Sequence, residues 1–295
     1  MKTIINDFEY LVATNVQEAL EMLSQHKEDD YKIIAGGQSL LTLMKHRLIS
    51  PEYVIDIKGL SDLDYIDFDA RKGLRIGALT THRSIEKSAV LRDKCPVLCE
   101  MEENVASVET RNWGTLVGDV CHADPAADPS PVMIALDAKL KISSSEGERT
   151  VDAEEFALDF YETVIQPGEM VTEIQIPSLP PNTGVKFAKY SQLLGDYANA
   201  SAAVLITLDK KKEICTNARI GLGGVGSTPI RAKKAEEVLK GKKVTDELLA
   251  EAGKAASEET SPVSGIEASA EYKRDLTAVL VKRVGKQALQ TAQKA

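Results

Sequence analysis

At 295 residues the chain exceeds one ordinary domain, and 43% hydrophobic against 27% charged residues describes a soluble globular protein with a sizeable core. The 36 basic and 45 acidic residues leave a net charge of −9, which argues against a general nucleic-acid binder. No apolar run approaches the ~18–20 residues needed to span a bilayer, and Met1–Asp7 offers no apolar core for a signal peptide, so a cytoplasmic protein is expected.

Thr14-Asn15-Val16-Gln17 begins like a capping box, with Gln17 placed to return to the cap backbone. Val16, Ala19, Leu20 and Leu23 then recur at helical spacing as far as Gln25-His26. The stretch Ile33-Ile34-Ala35-Gly36-Gly37-Gln38-Ser39-Leu40-Leu41 follows, and it reads as a short buried strand that breaks at two glycines and re-forms as a helix. Without Cβ atoms, Gly36 and Gly37 allow positive φ and close approach of a ligand. Unpaired N–H groups at such a turn suit a phosphate or pyrophosphate, and a plain strand-to-helix turn is the alternative. The pattern is neither GxGxxG nor a Walker A loop.

Tyr53–Ile57 is the next strand, and 63–68 with 74–78 predict a hairpin across the polar turn 69–73. Thr80-Thr81 starts a helix, and Pro96 belongs in the first turn of the one after it, which runs towards Val105. Residues 110–119 and 120–129 hold too many glycine, proline and aspartate residues for a long regular element. This irregular polar segment precedes an apolar helix at 131–138, and its backbone groups need partners that a polar ligand would supply. Two glycine-rich loops bearing hydroxyl side chains favour a phosphate-bearing ligand. A second hairpin is predicted at 139–143 and 149–152, a short helix at 154–160 and a strand at 170–176. Pro177–Asn182 is the best linker candidate. Beyond it, strands at 185–190, 202–208 and 214–222 precede helices near 232–240, 246–256 and 271–284, which implies an antiparallel sheet with helices on one face. Lys286–Ala295 reads as a fraying helix end. Cys95, Cys99, Cys121 and Cys215 are spaced neither for zinc nor for an iron–sulfur cluster, and read as reduced residues of a core.

In order along the chain come Ala35-Gly36-Gly37-Gln38-Ser39-Leu40-Leu41, then Arg111-Asn112-Trp113-Gly114-Thr115-Leu116-Val117-Gly118-Asp119, then Ala123-Asp124-Pro125-Ala126-Ala127-Asp128. Lys189 with Gly195-Asp196-Tyr197-Ala198, and Gly223-Gly224-Val225 with Thr228-Pro229-Ile230-Arg231, follow. In these motifs the sequence resembles the FAD-binding medium subunit of the molybdenum hydroxylases, the xanthine dehydrogenase and carbon monoxide dehydrogenase group. The resemblance implies an α+β protein: a two-part PCMH-type FAD-binding domain over residues 1–176, then a smaller α+β C-terminal domain over 177–295.

The resemblance also implies FAD as the cofactor, with the pyrophosphate held by the first glycine loop and by Thr115–Asp119. The full set of implied cofactor-binding residues is Ile33, Ile34, Ala35, Gly36, Gly37, Gln38, Ser39, Leu40, Val105, Thr110, Asn112, Gly114, Thr115, Val117, Gly118, Asp119, Ala123, Asp128, Val171, Lys189 and Tyr197. It implies no catalytic nucleophile, base or metal ligand on this chain. Its partners would be a molybdopterin-binding large subunit and a small subunit with two-iron two-sulfur clusters, and electrons would pass through FAD to NAD(P) or another acceptor. A stand-alone FAD-dependent oxidase and a non-redox nucleotide-binding subunit are the other readings. Two positions depart from the family pattern: Val117 stands where a second glycine is usual, and Asp119 where asparagine is common. A Cβ at Val117 restricts φ, and a carboxylate repels a diphosphate unless it bonds N–H groups or ribose. His122 reads as a polar loop histidine or a neighbour of the isoalloxazine, Trp113 as a packing residue, Tyr197 as a cover or flank of the ring or a core residue, and Tyr190 as a core residue with its hydroxyl at the edge.

Overall fold

The computed structural model describes residues 5–295; residues 1–4, where the stretch read above as lacking a leader begins, lie outside them. Among the described residues no helix is long and apolar enough to cross a membrane. The chain opens as a small parallel sheet of Glu9–Val12 (β1), Tyr31–Ile34 (β2) and Tyr53–Asp56 (β3), ordered β1-β3-β2. Helix α1, Val16–Gln25, makes the crossover from β1 to β2 and buries Ala19, Leu20 and Leu23. Its cap lies one residue later than predicted. Asn15 accepts the Glu18 N–H, and Glu18, not Gln17, reaches back to the Thr14 N–H at 2.7 Å. Gln17 instead donates to Glu21 along the helix surface. Asparagine competes well with threonine for the cap, and a cap at 15 leaves Thr14 outside the helix.

The second sheet is antiparallel throughout. Hairpin β4 (Ile66–Asp69) and β5 (Gly73–Gly77) joins hairpin β6 (Lys139–Ser144) and β7 (Gly147–Asp152) through a central strand, β10 (Met170–Ile176). That strand enters last and pairs with β5 and β6, so it closes the sheet between the two hairpins. Helices α3 (His82–Lys87), α4 (Ala89–Lys94), α5 (Pro96–Glu102), α6 (Val108–Trp113), α7 (Leu116–His122) and α8 (Pro129–Ala135) fill the interval between β5 and β6. Three of these fall in or beside the segment read as irregular. Each is a short helix of six or seven residues; Ser107 and Thr115 cap the first two, and Pro129 opens the third. The helix predicted at 154–160 stops at Phe156 (α9, Ala153–Phe156). The chain then turns back as the hairpin β8 (Ala157–Asp159) and β9 (Glu162–Thr163), with Tyr161 at φ 57°.

Past the proline linker, β11 (Thr183–Tyr190), β12 (Ala200–Leu208), β13 (Cys215–Gly223) and the short β14 (Ile230–Arg231) form the predicted antiparallel sheet. Helices α10 (Lys233–Leu239), α11 (Asp246–Glu258) and α12 (Ala270–Lys294) follow. Every residue of β12 is buried because both faces of the sheet are covered. Val204 and Ile206 pack under the C-terminal helices, while Ala203 and Leu205 join Val185 and Phe187 in the core of the N-terminal half. The tail read as fraying is regular helix to Lys294, anchored by buried Ala288 and Ala292. Gly184 permits this, since a Cβ there would stand 2.0 Å from the Ala288 carbonyl oxygen.

Candidate cofactor site

The two glycine turns lie directly on one another. Strand β2 ends at Ile34, and residues 35–39 turn into α2, Leu40–Lys45. A Cβ on Gly36 would meet the Trp113 carbonyl oxygen at 2.1 Å and Gly114 Cα at 2.7 Å, so only glycine lets the first turn rest on the second. Gly37 adopts φ 73°, the left-handed conformation that glycine takes at least cost. Leu41 N–H bonds to the Gly37 carbonyl and begins the helix, but the N–H groups of Gly36, Gly37, Gln38 and Ser39 find no acceptor among the described residues. Four unmet donors in one turn call for an oxygen-rich partner.

The second turn is pinned from behind. His82 N–H bonds to the Gly114 carbonyl at 3.0 Å and Leu116 N–H to the Thr80 carbonyl at 3.3 Å. The Thr115 hydroxyl accepts the Gly118 N–H at 3.0 Å and caps α7. Val117 is the second residue of that helix, at negative φ, with its side chain 3% exposed in the core. A valine therefore fits without strain, because the turn achieves its geometry at Gly114 and Thr115.

A cavity of about 780 Å³ opens over both turns, large enough for a cofactor-sized ligand. Ile33, Ile34, Ala35, Gly36, Gly37, Gln38, Ser39, Leu40, Val105, Thr110, Gly114, Thr115, Val117, Gly118, Asp119, Asp128, Val171, Lys189 and Tyr197 line it. Asn112 and Ala123 do not. Asn112 is exposed on the outer side of α6. Ala123 is buried at φ 54° where α7 ends, and its carbonyl accepts the Tyr161 N–H. Trp113 neither packs nor lines the cavity: it is 64% exposed. Tyr190 stands edge-on to Tyr272 with ring centroids 6.0 Å apart, away from the cavity. Among the wall residues absent from the sequence-based set, two carry chemistry of their own. His82 comes from the start of α3, and Tyr161 from the hairpin turn, where it tilts against His122 at 5.1 Å and donates to Asp124 at 3.1 Å. Thr81-His82 carried a visible cap signal, but nothing local marked the direction of the ring. Tyr161 was hidden because the stretch just before it, 154–160, read as helix and gave no sign of a hairpin turn.

Of the acidic residues in the wall, Asp128 and Asp119 each have a cation behind them. Lys189 donates to Asp128 at 2.5 Å, to the Asn104 carbonyl at 2.9 Å and to the Asp196 carbonyl at 2.7 Å. Those three bonds use all the protons of the ammonium. Lys189 thus braces three chain segments around the cavity and has no donor left for a ligand. Burial pushes the Asp128 carboxyl up to about 7 against the pull of Lys189, and Asp128 Oδ1 has no partner. On the other side, His82 Nδ1 lies 2.8 Å from Glu102 Oε2, and His82 Nε2 lies 3.8 Å from Asp119 Oδ2. Burial alone would lower the imidazolium, but the charge and hydrogen bond of Glu102, with Asp119 beyond, raise it to about 9. Burial also holds the Tyr197 phenol well above its usual range and the Cys121 thiol at about 12, which keeps both neutral.

The donor-rich double turn, apolar walls from Ile33, Val105 and Val171, and a cavity of this volume match a dinucleotide with a flat ring system. Residues 6–179 match the family described as FAD binding domain in molybdopterin dehydrogenase, and residues 186–288 match the CO dehydrogenase flavoprotein C-terminal domain. The fold and site therefore define an FAD-binding flavoprotein of mixed α/β architecture. Among the relatives is the 6-hydroxypseudooxynicotine dehydrogenase complex subunit alpha of Paenarthrobacter nicotinovorans, 36% identical over 97% of this chain and 95% of its own. The carbon monoxide dehydrogenase medium chain of Afipia carboxidovorans is 34% identical over 95% of this chain and 96% of its own. A solved carbon monoxide dehydrogenase from Hydrogenophaga pseudoflava superimposes with a TM-score of 0.93, at 33% identity, over 98% of this chain and 99% of the other. The chain belongs to the FAD-binding medium subunits of the molybdenum hydroxylase family, and FAD is its cofactor.

Proposed function

We propose that this chain carries FAD as the outlet of a three-part molybdenum hydroxylase. In that assembly a molybdopterin-binding large subunit oxidises substrate, a small subunit with two-iron two-sulfur clusters delivers the electrons, and NAD(P) or another acceptor removes them. Once bound, the flavin supplies reversible one- and two-electron transfer. The protein's part is to hold and surround it. The free N–H groups of Gly36, Gly37, Gln38 and Ser39, with Thr115 and Gly118 beside them, would bind the pyrophosphate. Ile33, Ile34, Val105 and Val171 would exclude water from the apolar parts. Asp128 and Lys189 would close the side nearest β11, with Lys189 acting as the brace described above. We place the working boundary at Pro177, giving an FAD domain over 1–176 and a C-terminal domain over 177–295. The free, mostly buried cysteines are in keeping with the reducing cytoplasm.

The observation that carries this reading is the pair of interlocked turns lining one cavity, the first of which leaves four N–H groups unmet. The test is an absorbance spectrum and mass analysis of gently purified native protein. Released FAD with a large and a small chain in the same peak supports the whole reading. FAD without partners points to a stand-alone oxidase. No flavin, even after FAD is added, overturns the assignment of the site.

A further inference from the structure

Asp119 poses a charge problem that the family assignment does not solve: a carboxylate lines a cavity built for a dianionic cofactor. It makes no hydrogen bond among the described residues beyond the helical bond of its own N–H to the Thr115 carbonyl. Its nearest charged neighbour is the His82 ring. That ring is fixed on every side. The His82 N–H is bonded to Gly114, the Thr81 hydroxyl caps its helix, and Gly114 has no Cβ, where one would come 3.1 Å from the ring. Glu102, fully buried, has His82 as its single partner, and its other oxygen is unmet. Such a carboxylate costs stability rather than adding to it unless it holds the ring charged. With Nδ1 occupied by Glu102, Nε2 is the nitrogen turned to Asp119.

We propose that His82, held by Glu102, is a positioning residue for FAD: it supplies the countercharge that lets the Asp119 carboxylate stand in the cavity wall without repelling the pyrophosphate. This rests on the placement of FAD proposed above. The titratable and charged groups around the triad are Glu102 on α5, Arg111 on α6, Asp119 and His122 on α7, Asp124 in the turn that follows, Asp128 at the start of α8, Lys189 on β11 and Tyr197 beyond it. Arg111 is engaged elsewhere, with Glu86 and the carbonyls of Val105 and Ala106. It therefore cannot replace His82. Burial raises the Asp119 carboxyl, so without the imidazolium Asp119 takes up a proton more readily as pH falls.

The test is FAD affinity, read from quenching of flavin fluorescence on the flavin-free full chain at pH 6 and pH 8.5. His82→Gln is expected to weaken binding about tenfold at pH 8.5 and less at pH 6, because burial raises the Asp119 carboxyl and a lower pH brings it nearer its neutral form. In an Asp119→Asn background the same change should cost less than about threefold, since no carboxylate is left to offset. Glu102→Gln, which preserves shape, should lower the pH above which affinity falls. An equal loss from His82→Gln at both pH values and in both backgrounds would show that the ring merely packs, and would overturn the proposal. So would loss of FAD binding in Asp119→Asn alone, which would make the carboxylate itself the ligand. Failure of the wild-type chain to take up FAD at all would instead refute the site assignment on which the proposal stands.

Discussion

Gly36→Ala is the smallest change that should separate the two turns. The added Cβ starts 2.1 Å from the Trp113 carbonyl oxygen, and ordinary contact begins near 3.4 Å, so the backbones must part by more than 1 Å. Neither neighbour is a flexible side-chain end that could swing aside. Overpacking typically costs about 1–3 kcal/mol, and a clash between two backbones belongs at the upper end. At about 2–4 °C per kcal/mol for a domain of this size, Tm should fall by about 6–12 °C. The displacement also spoils hydrogen bonds from Gly36 and Gly37 to the cofactor. Losing two bonds to a charged group, each worth about 1.5 kcal/mol or more, weakens FAD about 100-fold. Gly37→Ala is the control: its Cβ meets only the ends of Ile34 and Leu41 at 3.2 Å, and the cost is the left-handed φ, about 1–2 kcal/mol. Fluorescence titration with FAD and thermal unfolding of the flavin-free chain read both effects. A Gly36→Ala protein that binds FAD within threefold of wild type and unfolds within 2 °C of it would refute the interlocked-turn argument.

Two other consequences concern the buried charges. Lys189→Met strands Asp128, which is 5% exposed, and removes the donor shared by the Asn104 and Asp196 carbonyls; urea unfolding at pH 8 should lose about 3–5 kcal/mol, and Asp128→Asn in the same chain should recover part of it. No loss at pH 8 would mean that the brace is unimportant. Stability of the flavin-free chain should also fall as pH rises, in two stages. Asp128 is raised to about 7, so the folded state binds its proton more tightly than the unfolded chain does, and that contribution is lost between about pH 4 and pH 7. His82 is raised to about 9, so its contribution is complete below its unfolded value of 6.5 and lost as pH passes through 9. Urea midpoints from pH 5 to 10 should trace both stages, and His82→Gln should abolish the second; a midpoint that rises with pH would contradict both assignments.

How much of this was legible in the chain depends on how locally each signal is written. The hairpins at β4–β5 and β6–β7 follow from alternation around polar turns, and the C-terminal sheet-then-helices order could be read directly. The two glycine loops could also be found, because glycine is a local mark. That they lock together could not, since Gly36 and Trp113 touch only through tertiary folding. The caps at Ser107 and Thr115 were present in the sequence, but glycine and proline outweighed them, and two short helices read as irregular chain. Tyr161 and His82 escaped for the same reason as the interlock: each acts through partners far along the chain, Asp124 for one and Glu102 and Asp119 for the other. Lys189 was found, but its role changed. A strand-borne cation suggested a phosphate ligand, and only the structure shows that its three protons are already used.

That exhausted lysine explains how a chain of net charge −9 can hold a dianionic cofactor. An exposed cation pointed at the pyrophosphate would have been the obvious device, but neither cation of the two wall pairs is free for that role. Attraction falls instead to neutral donors, the four unmet N–H groups of the first turn, whose dipoles are fixed before the ligand arrives and lose no side-chain freedom on binding. The acids are then a problem of repulsion, and two of those in the wall are met where they stand: Asp128 by Lys189 and Asp119 by His82. The two solutions differ in one respect. Lys189 is held by two backbone carbonyls as well as by Asp128, whereas the imidazole must be held charged by a further carboxylate, and Glu102 is buried beside it to do that. If the countercharge argument is right, exchanging the two devices should show it: His82→Lys, with Glu102→Gln to remove the buried acid, should keep FAD affinity at pH 6 and extend it unchanged to pH 10, where the wild-type chain has lost its imidazolium.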